Sequence, residues 1–180
     1  SKFRKEVVSN ANKELLAWDG YVENDLEVKE DLLRYWESVG YYYTDAEYNS
    51  NSFHDSNPWS AAFVSSVMKD SGAGDSFDYS ASHAAYLIYA RDNRLNYPDE
   101  PFKAYKTNEV VPEVGDIVCS LFGCNGDPYK GLFISAVVML GVGVYFLNKK
   151  KKGLGTKVGL GVVGYYLLDK YVINKEKIIS

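Results

Sequence analysis

The two cysteines in 180 residues form no C-x-x-C pair and are too few for a disulfide framework, and with only two histidines beside them no zinc set is read. No metal or other cofactor is therefore expected. No Walker loop and no dinucleotide fingerprint occur, because the glycines between 153 and 164 lie in an apolar stretch without a strand to aim them at a phosphate. Positive charge is scarce where a nucleic-acid reader would need it. The chain is formally −4, and residues 1–130 hold twelve Lys and Arg against 22 acids, whereas residues 131–180 hold eight Lys against two acids. Nonspecific affinity for DNA or RNA comes from neutralising phosphates, so a body this acidic is not expected to take a nucleic-acid partner. With 46% hydrophobic and 24% charged residues, a disordered tail or a collagen-like repeat is excluded, and the length suits one core plus an appendage.

The appendage announces itself as an uncharged run. Residues 131–147 read GLFISAVVMLGVGVYFL, which as a helix covers about 26 Å, near the lower limit for crossing the hydrocarbon of a bilayer. Lys149 to Lys152 follow, a block that stays on the cytoplasmic side under the positive-inside rule. The sequence thus predicts a membrane anchor from Gly131 to Leu147, with residues 1–130 facing outward as a soluble domain. The alternative for this run is a buried helix of a core. Residues 148–157 form a basic loop, and 158–173 read as a second segment that either crosses the bilayer or lies at its interface, before a tail over 174–180. Ser1 to Glu6 lead directly into a charged amphipathic stretch, so no signal peptide is expected.

In the body, Phe3, Val7, Val8, Ala11, Leu15 and Trp18 recur at helical spacing up to Gly20. A second helix, capped by Asn24 or Asp25, runs through Leu26, Leu32, Leu33, Trp36 and Val39 to Gly40. Residues 41–57, rich in Tyr, Asn, Ser and Asp, predict a long surface loop. Asn57 and Pro58 then open a helix rich in small residues that ends at Gly72, and another runs from Ser80 or Ser82 through Ala90. Residues 93–113 contain three of the five prolines, and Val114 to Phe122 is the one convincing strand of the body. The expected class is α+β and helix-rich.

Two motifs in this order, Pro58-Trp59-Ser60-Ala61-Ala62-Phe63-Val64 and Pro112-Glu113-Val114-Gly115-Asp116-Ile117-Val118, with Ser82-His83-Ala84-Ala85-Tyr86 between them, carry a resemblance. From about residue 5 to 122 the chain resembles an uncharacterised bacterial domain family related to the papain-like CHAP and NlpC-type cell-wall peptidases. The resemblance implies a truncated papain-like body. In the papain-like relatives the position matching Ser60 is the nucleophilic Cys, seated at a helix N-terminus where amides and the helix dipole favour an anion. A serine there needs a base, and His54 and His83 are the imidazoles on offer. His83 matches a histidine of the uncharacterised family. No histidine follows Asp116, where the relatives' catalytic one usually lies. Ser60 and His83 are the implied catalytic pair, with Trp59, His54 and Asp116 in support. The structural alternatives are a small packing residue at 60, a helix-start histidine bonded to a carbonyl at 83, and a turn-forming carboxylate at 116.

Carboxylates offer a second chemistry, since a glycan-cleaving site needs two acids, one of them in an apolar setting. Glu14 beside Trp18 and Glu37 beside Trp36 are the candidates. Cys119 and Cys124 are spaced either to close a disulfide across a tight loop or to stay as two free thiols. The functional expectation is a membrane-anchored hydrolase of peptidoglycan amides, bacterial or carried in a phage virion. Its partners would be the lipid bilayer, peptidoglycan and other membrane or capsid proteins. The rival is a noncatalytic envelope or virion protein that keeps the hydrolase shape for docking.

Overall fold

The computed structural model describes residues 1–50, 52–122, 133–140, 143–144 and 169–175. Helix α1 (Lys2–Ala17) begins at Ser1, whose hydroxyl accepts the Arg4 amide, and buries Val7 and Ala11. A short 3-10 turn (Leu26–Val28) runs into α2 (Lys29–Ser38), which buries Leu32, Tyr35 and Trp36. Gly20 and Gly40 follow these two helices at φ +87° and +85°, where a side chain would be strained.

Where the sequence predicts an unbroken loop over 41–57, two one-turn helices form, α3 (Asp45–Tyr48) and α4 (Phe53–Ser56). The first is fixed by a reciprocal cap: the Thr44 hydroxyl accepts the Glu47 amide and the Glu47 carboxylate accepts the Thr44 amide. Helix α5 (Ser60–Asp70) and helix α6 (His83–Asn96) complete the helical part. The second extends six residues past the expected end at Ala90, because Asn93 is buried and donates to the Phe102 carbonyl.

Among the described residues, strands β1 (Phe102–Lys106), β2 (Ile117–Phe122), β3 (Phe133–Leu140), β4 (Gly143–Val144) and β5 (Asp169–Lys175) form an antiparallel sheet in the order β1-β5-β2-β3-β4. The helix-rich α+β class is as expected, but the apolar tail behaves differently. Residues 133–140 are a strand, with Ile117 opposite Val138 and Phe122 opposite Phe133, rather than part of a helix from Gly131 to Leu147. A continuous apolar run reads equally as a helix or as a strand buried on both faces, and the β-branched and aromatic content of FISAVVML decides for the strand. Residues 169–173 of the expected second segment are likewise a strand, inserted between β1 and β2. The sheet therefore draws strands from beyond residue 130. No helix among the described residues is long and apolar enough to cross a membrane. The rest of 131–147, the basic loop 148–157, residues 158–168 and 176–180 lie outside the described residues.

Helices α1, α5 and α6 lie against the sheet. Their buried residues, including Val7, Val64, Val67, Met68, Tyr86 and Leu87, join Phe102, Ala104, Ile117, Cys119 and Ile173 in one core. A second, aromatic core gathers Val28, Leu32, Tyr35, Trp36, Tyr48 and Phe53 against Ala62. Helix α5 is the wall between them, with Ala62 facing one core and Val64, Val67 and Met68 the other.

Candidate active site

The first turn of α5 brings Ser60 to the surface of this wall, half-buried. Asn57 is not its cap. Trp59 holds the cap position in a helical conformation and its side chain caps nothing. The Trp59 carbonyl accepts the Phe63 amide at 2.9 Å, so the amides of Ser60 to Ala62 precede the first intrahelical bond and carry the positive end of the helix dipole.

His83 reaches this turn from the start of α6, and its Nε2 lies 2.8 Å from Ser60 Oγ. What aligns the two helices is a clasp one turn further along. Buried Ser65 donates its hydroxyl to the Ser80 carbonyl at 3.0 Å and accepts the Ser80 amide at 3.1 Å. This pins the segment just before His83 onto α5. On the far side of the ring, Nδ1 is hydrogen-bonded to the hydroxyl of Tyr86, one turn along α6 and fully buried. Burial lowers the His83 pKa from 6.5 to about 4. The imidazole is thus neutral at pH 7. Its described partners are a serine and a tyrosine, and neither is a carboxylate.

The other expected site residues lie elsewhere. Asp116 accepts Arg4 Nε at 3.0 Å and the Glu113 amide at 2.9 Å, tying the turn before β2 to α1. Burial raises its pKa against the opposing pull of the Glu113 amide and Arg4. Gly115, at φ +92°, allows this contact, since a Cβ there would sit 2.7 Å from Arg4 Cβ. His54 packs edge-on against Tyr48 and Phe53 in the aromatic core. Trp59 stacks on Trp18 with centroids 4.7 Å apart and donates its indole N–H to Glu23 at 3.0 Å. Cys119 is a buried free thiol with its pKa pushed up by burial, and Cys124 lies outside the described residues.

The two carboxylates weighed for glycan cleavage do not form a site. Glu14 is buried, but its side chain is already engaged, accepting the Tyr35 hydroxyl at 2.6 Å and Arg34 at 2.7 Å. Glu37 is exposed on the outer side of α2. A groove of about 440 Å³ opens between α3 and α4, lined by Tyr43, Glu47, Phe53, Ser56 and Asn57 among others. Its lining stops at Asn57, short of Ser60. Among the described residues no three His, Cys, Asp or Glu converge as a metal ion would require.

Residues 30–135 match the model of a family described as an uncharacterised protein conserved in bacteria, DUF2272. The chain belongs to this family. No curated protein and no solved structure matches it. The DUF2272 match takes in Ser60, His83, Tyr86 and the Ser65–Ser80 clasp, while α1, with Arg4, precedes it. The clasp and Tyr86 were missed by sequence reasoning, since a helical serine reads as a small packing residue and Tyr86 as part of the apolar side of α6.

Proposed function

We propose that the protein is a hydrolase of amide bonds in peptidoglycan, with Ser60 as nucleophile and His83 as base. The observation that carries this reading is the 2.8 Å contact between Ser60 Oγ and His83 Nε2 at the dipole-positive start of α5. Ser60 Oγ would bond to the scissile carbonyl carbon while its proton passes to Nε2. The amides of the first turn face the developing oxyanion. Collapse would break the C–N bond, the amine leaving with the proton from Nε2, and water would release the acyl group by the same steps reversed. The resemblance to papain-like cell-wall peptidases, in which a cysteine stands at the position of Ser60, supplies the substrate class.

The reading includes a place at the outer face of a bacterial or virion membrane. With residues 133–140 in the sheet, the part left to meet lipid is the apolar run 158–168, preceded by the Lys149–Lys152 block. Flotation of the intact chain with anionic vesicles tests this separately, and a chain that stays at the bottom of the gradient refutes it.

One observation favours the noncatalytic docking module. The imidazolium formed during attack would face a neutral tyrosine and no carboxylate among its described partners. Zymography on cell-wall sheets decides between the two. Clearing by the intact chain that is lost in Ser60→Ala and in His83→Ala supports hydrolysis; no clearing by the unaltered protein supports docking.

A further inference from the structure

The hydrogen bonds around His83 have a direction, and the direction decides what Ser60 is ready to do. Tyr86 is 1% exposed and its phenol stays neutral, because burial raises its pKa well above 10. A neutral phenol has one hydrogen to donate, and leaving a buried O–H without an acceptor is costly. Among the described residues its acceptor is His83 Nδ1. A neutral imidazole that accepts at Nδ1 carries its proton on Nε2, the atom facing Ser60 Oγ. The opposite polarity, with Nδ1–H donating to the phenol oxygen, leaves the phenolic hydrogen without a hydrogen-bond acceptor among the described residues.

We infer that Tyr86 is a positioning residue that holds His83 in the Nε2–H tautomer, so that at rest Ser60 accepts a hydrogen bond from His83 and directs its own hydroxyl hydrogen away from the ring. The inference takes its chemical meaning from the hydrolase reading, since it sets the resting state of the same pair. In this state Nε2 has no lone pair for the serine proton. Ser60 becomes a nucleophile only after Nε2 gives up its proton, Nδ1 gains one, and the Tyr86 hydroxyl turns its hydrogen off the ring. The same polarity makes the resting pair a ready hydrogen-bond donor to a carbonyl ligand, through the Ser60 hydroxyl.

Long-range proton–nitrogen correlation on the intact chain, labelled with ¹⁵N histidine at neutral pH, reads the tautomer directly. The chain has two histidines, so a His54→Asn variant assigns the signals. The expected spectrum shows His83 protonated at Nε2, with Nδ1 at the shift of a lone pair engaged in a hydrogen bond. In Tyr86→Phe the Nδ1–H tautomer becomes populated, so the Nδ1 signal moves towards that of a protonated nitrogen and the Nε2 signal towards that of an unprotonated one. A proton on Nδ1 in the unaltered protein overturns the inference, as does an Nδ1 shift indifferent to Tyr86→Phe in a folded variant. Should the variant not fold, the spectrum of the unaltered protein decides alone. The spectrum does not depend on hydrolysis: Nε2–H in a protein that clears no cell wall upholds this inference and removes the hydrolase, and Nδ1–H in one that clears does the reverse.

Discussion

Lowering the pH from about 7 to about 4.5 charges His83 in the unfolded chain well before it does so in the folded one. Free imidazole takes up its proton near 6.5, whereas burial delays this in the native state to about 4. Between those values the unfolded chain binds more protons, so stability rises with pH; the contribution is complete above about 6.5 and lost as the pH falls through about 4. At ~1.4 kcal/mol per pH unit the full contribution is about 3 kcal/mol. That is a large share of the roughly 5–15 kcal/mol that holds a typical domain together. Glu47 and Glu109, whose pKa values are lowered by hydrogen bonds from Thr44 and from Arg94, lose stability in the same direction but at lower pH, and Asp116 opposes them. The comparison is therefore with His83→Gln, which keeps a polar group between Ser60 and Tyr86 and does not titrate. Urea unfolding at several pH values across this window should show the unaltered chain losing about 2 kcal/mol more than the variant by pH ~4.5. Parallel pH profiles for the two proteins refute the burial argument, and so does a His83 proton titration near 6.5 by NMR.

Three further substitutions probe the frame around the site. Gly115→Ala forces a Cβ to within 2.7 Å of Arg4 at a left-handed φ, and should cost at least about 2 kcal/mol in urea or thermal unfolding. Arg4→Ala leaves the buried Asp116 carboxylate without its cation; the expected loss is about 2–4 kcal/mol at neutral pH and less in acid, where Asp116 takes up a proton. Ser65→Ala strands the Ser80 amide and frees the segment before His83, so about 1–3 kcal/mol of stability is expected to go. The His83 ring signals should broaden or shift with it; unchanged signals would mean that the clasp does not set the ring.

The helices were legible because their apolar positions repeat at the helical period, and the glycines after α1 and α2 mark their ends. The sheet was not. Strand β1 is five residues long and lies between Pro101 and Pro112, so its alternation was lost in a proline-rich stretch. Strand β3 shows no alternation in its sequence, FISAVVML, and periodicity alone does not distinguish a short continuous apolar run from a helix. For β5, Tyr171-Val172-Ile173 follows an apolar run and was absorbed into it. The Ser60–His83 pair came from motif order, and the structure joins them across 23 residues. Asp116 and His54 did not follow, since Asp116 is held by Arg4 and His54 by its aromatic neighbours. Tyr86 was hidden in another way: its ring fills the core as the apolar pattern requires, and only its hydroxyl belongs to the site.

Gly115 and Asp116, inside the stretch shared with the family, are fitted to Arg4, which lies outside it. Val7 and Ala11 of the same helix are core residues, not surface ornament. The cooperative folding unit is thus wider than the inherited signature. A polypeptide cut back to residues 30–135 would leave the turn before β2 facing solvent, one acid without its counter-ion and the sheet uncovered at α1.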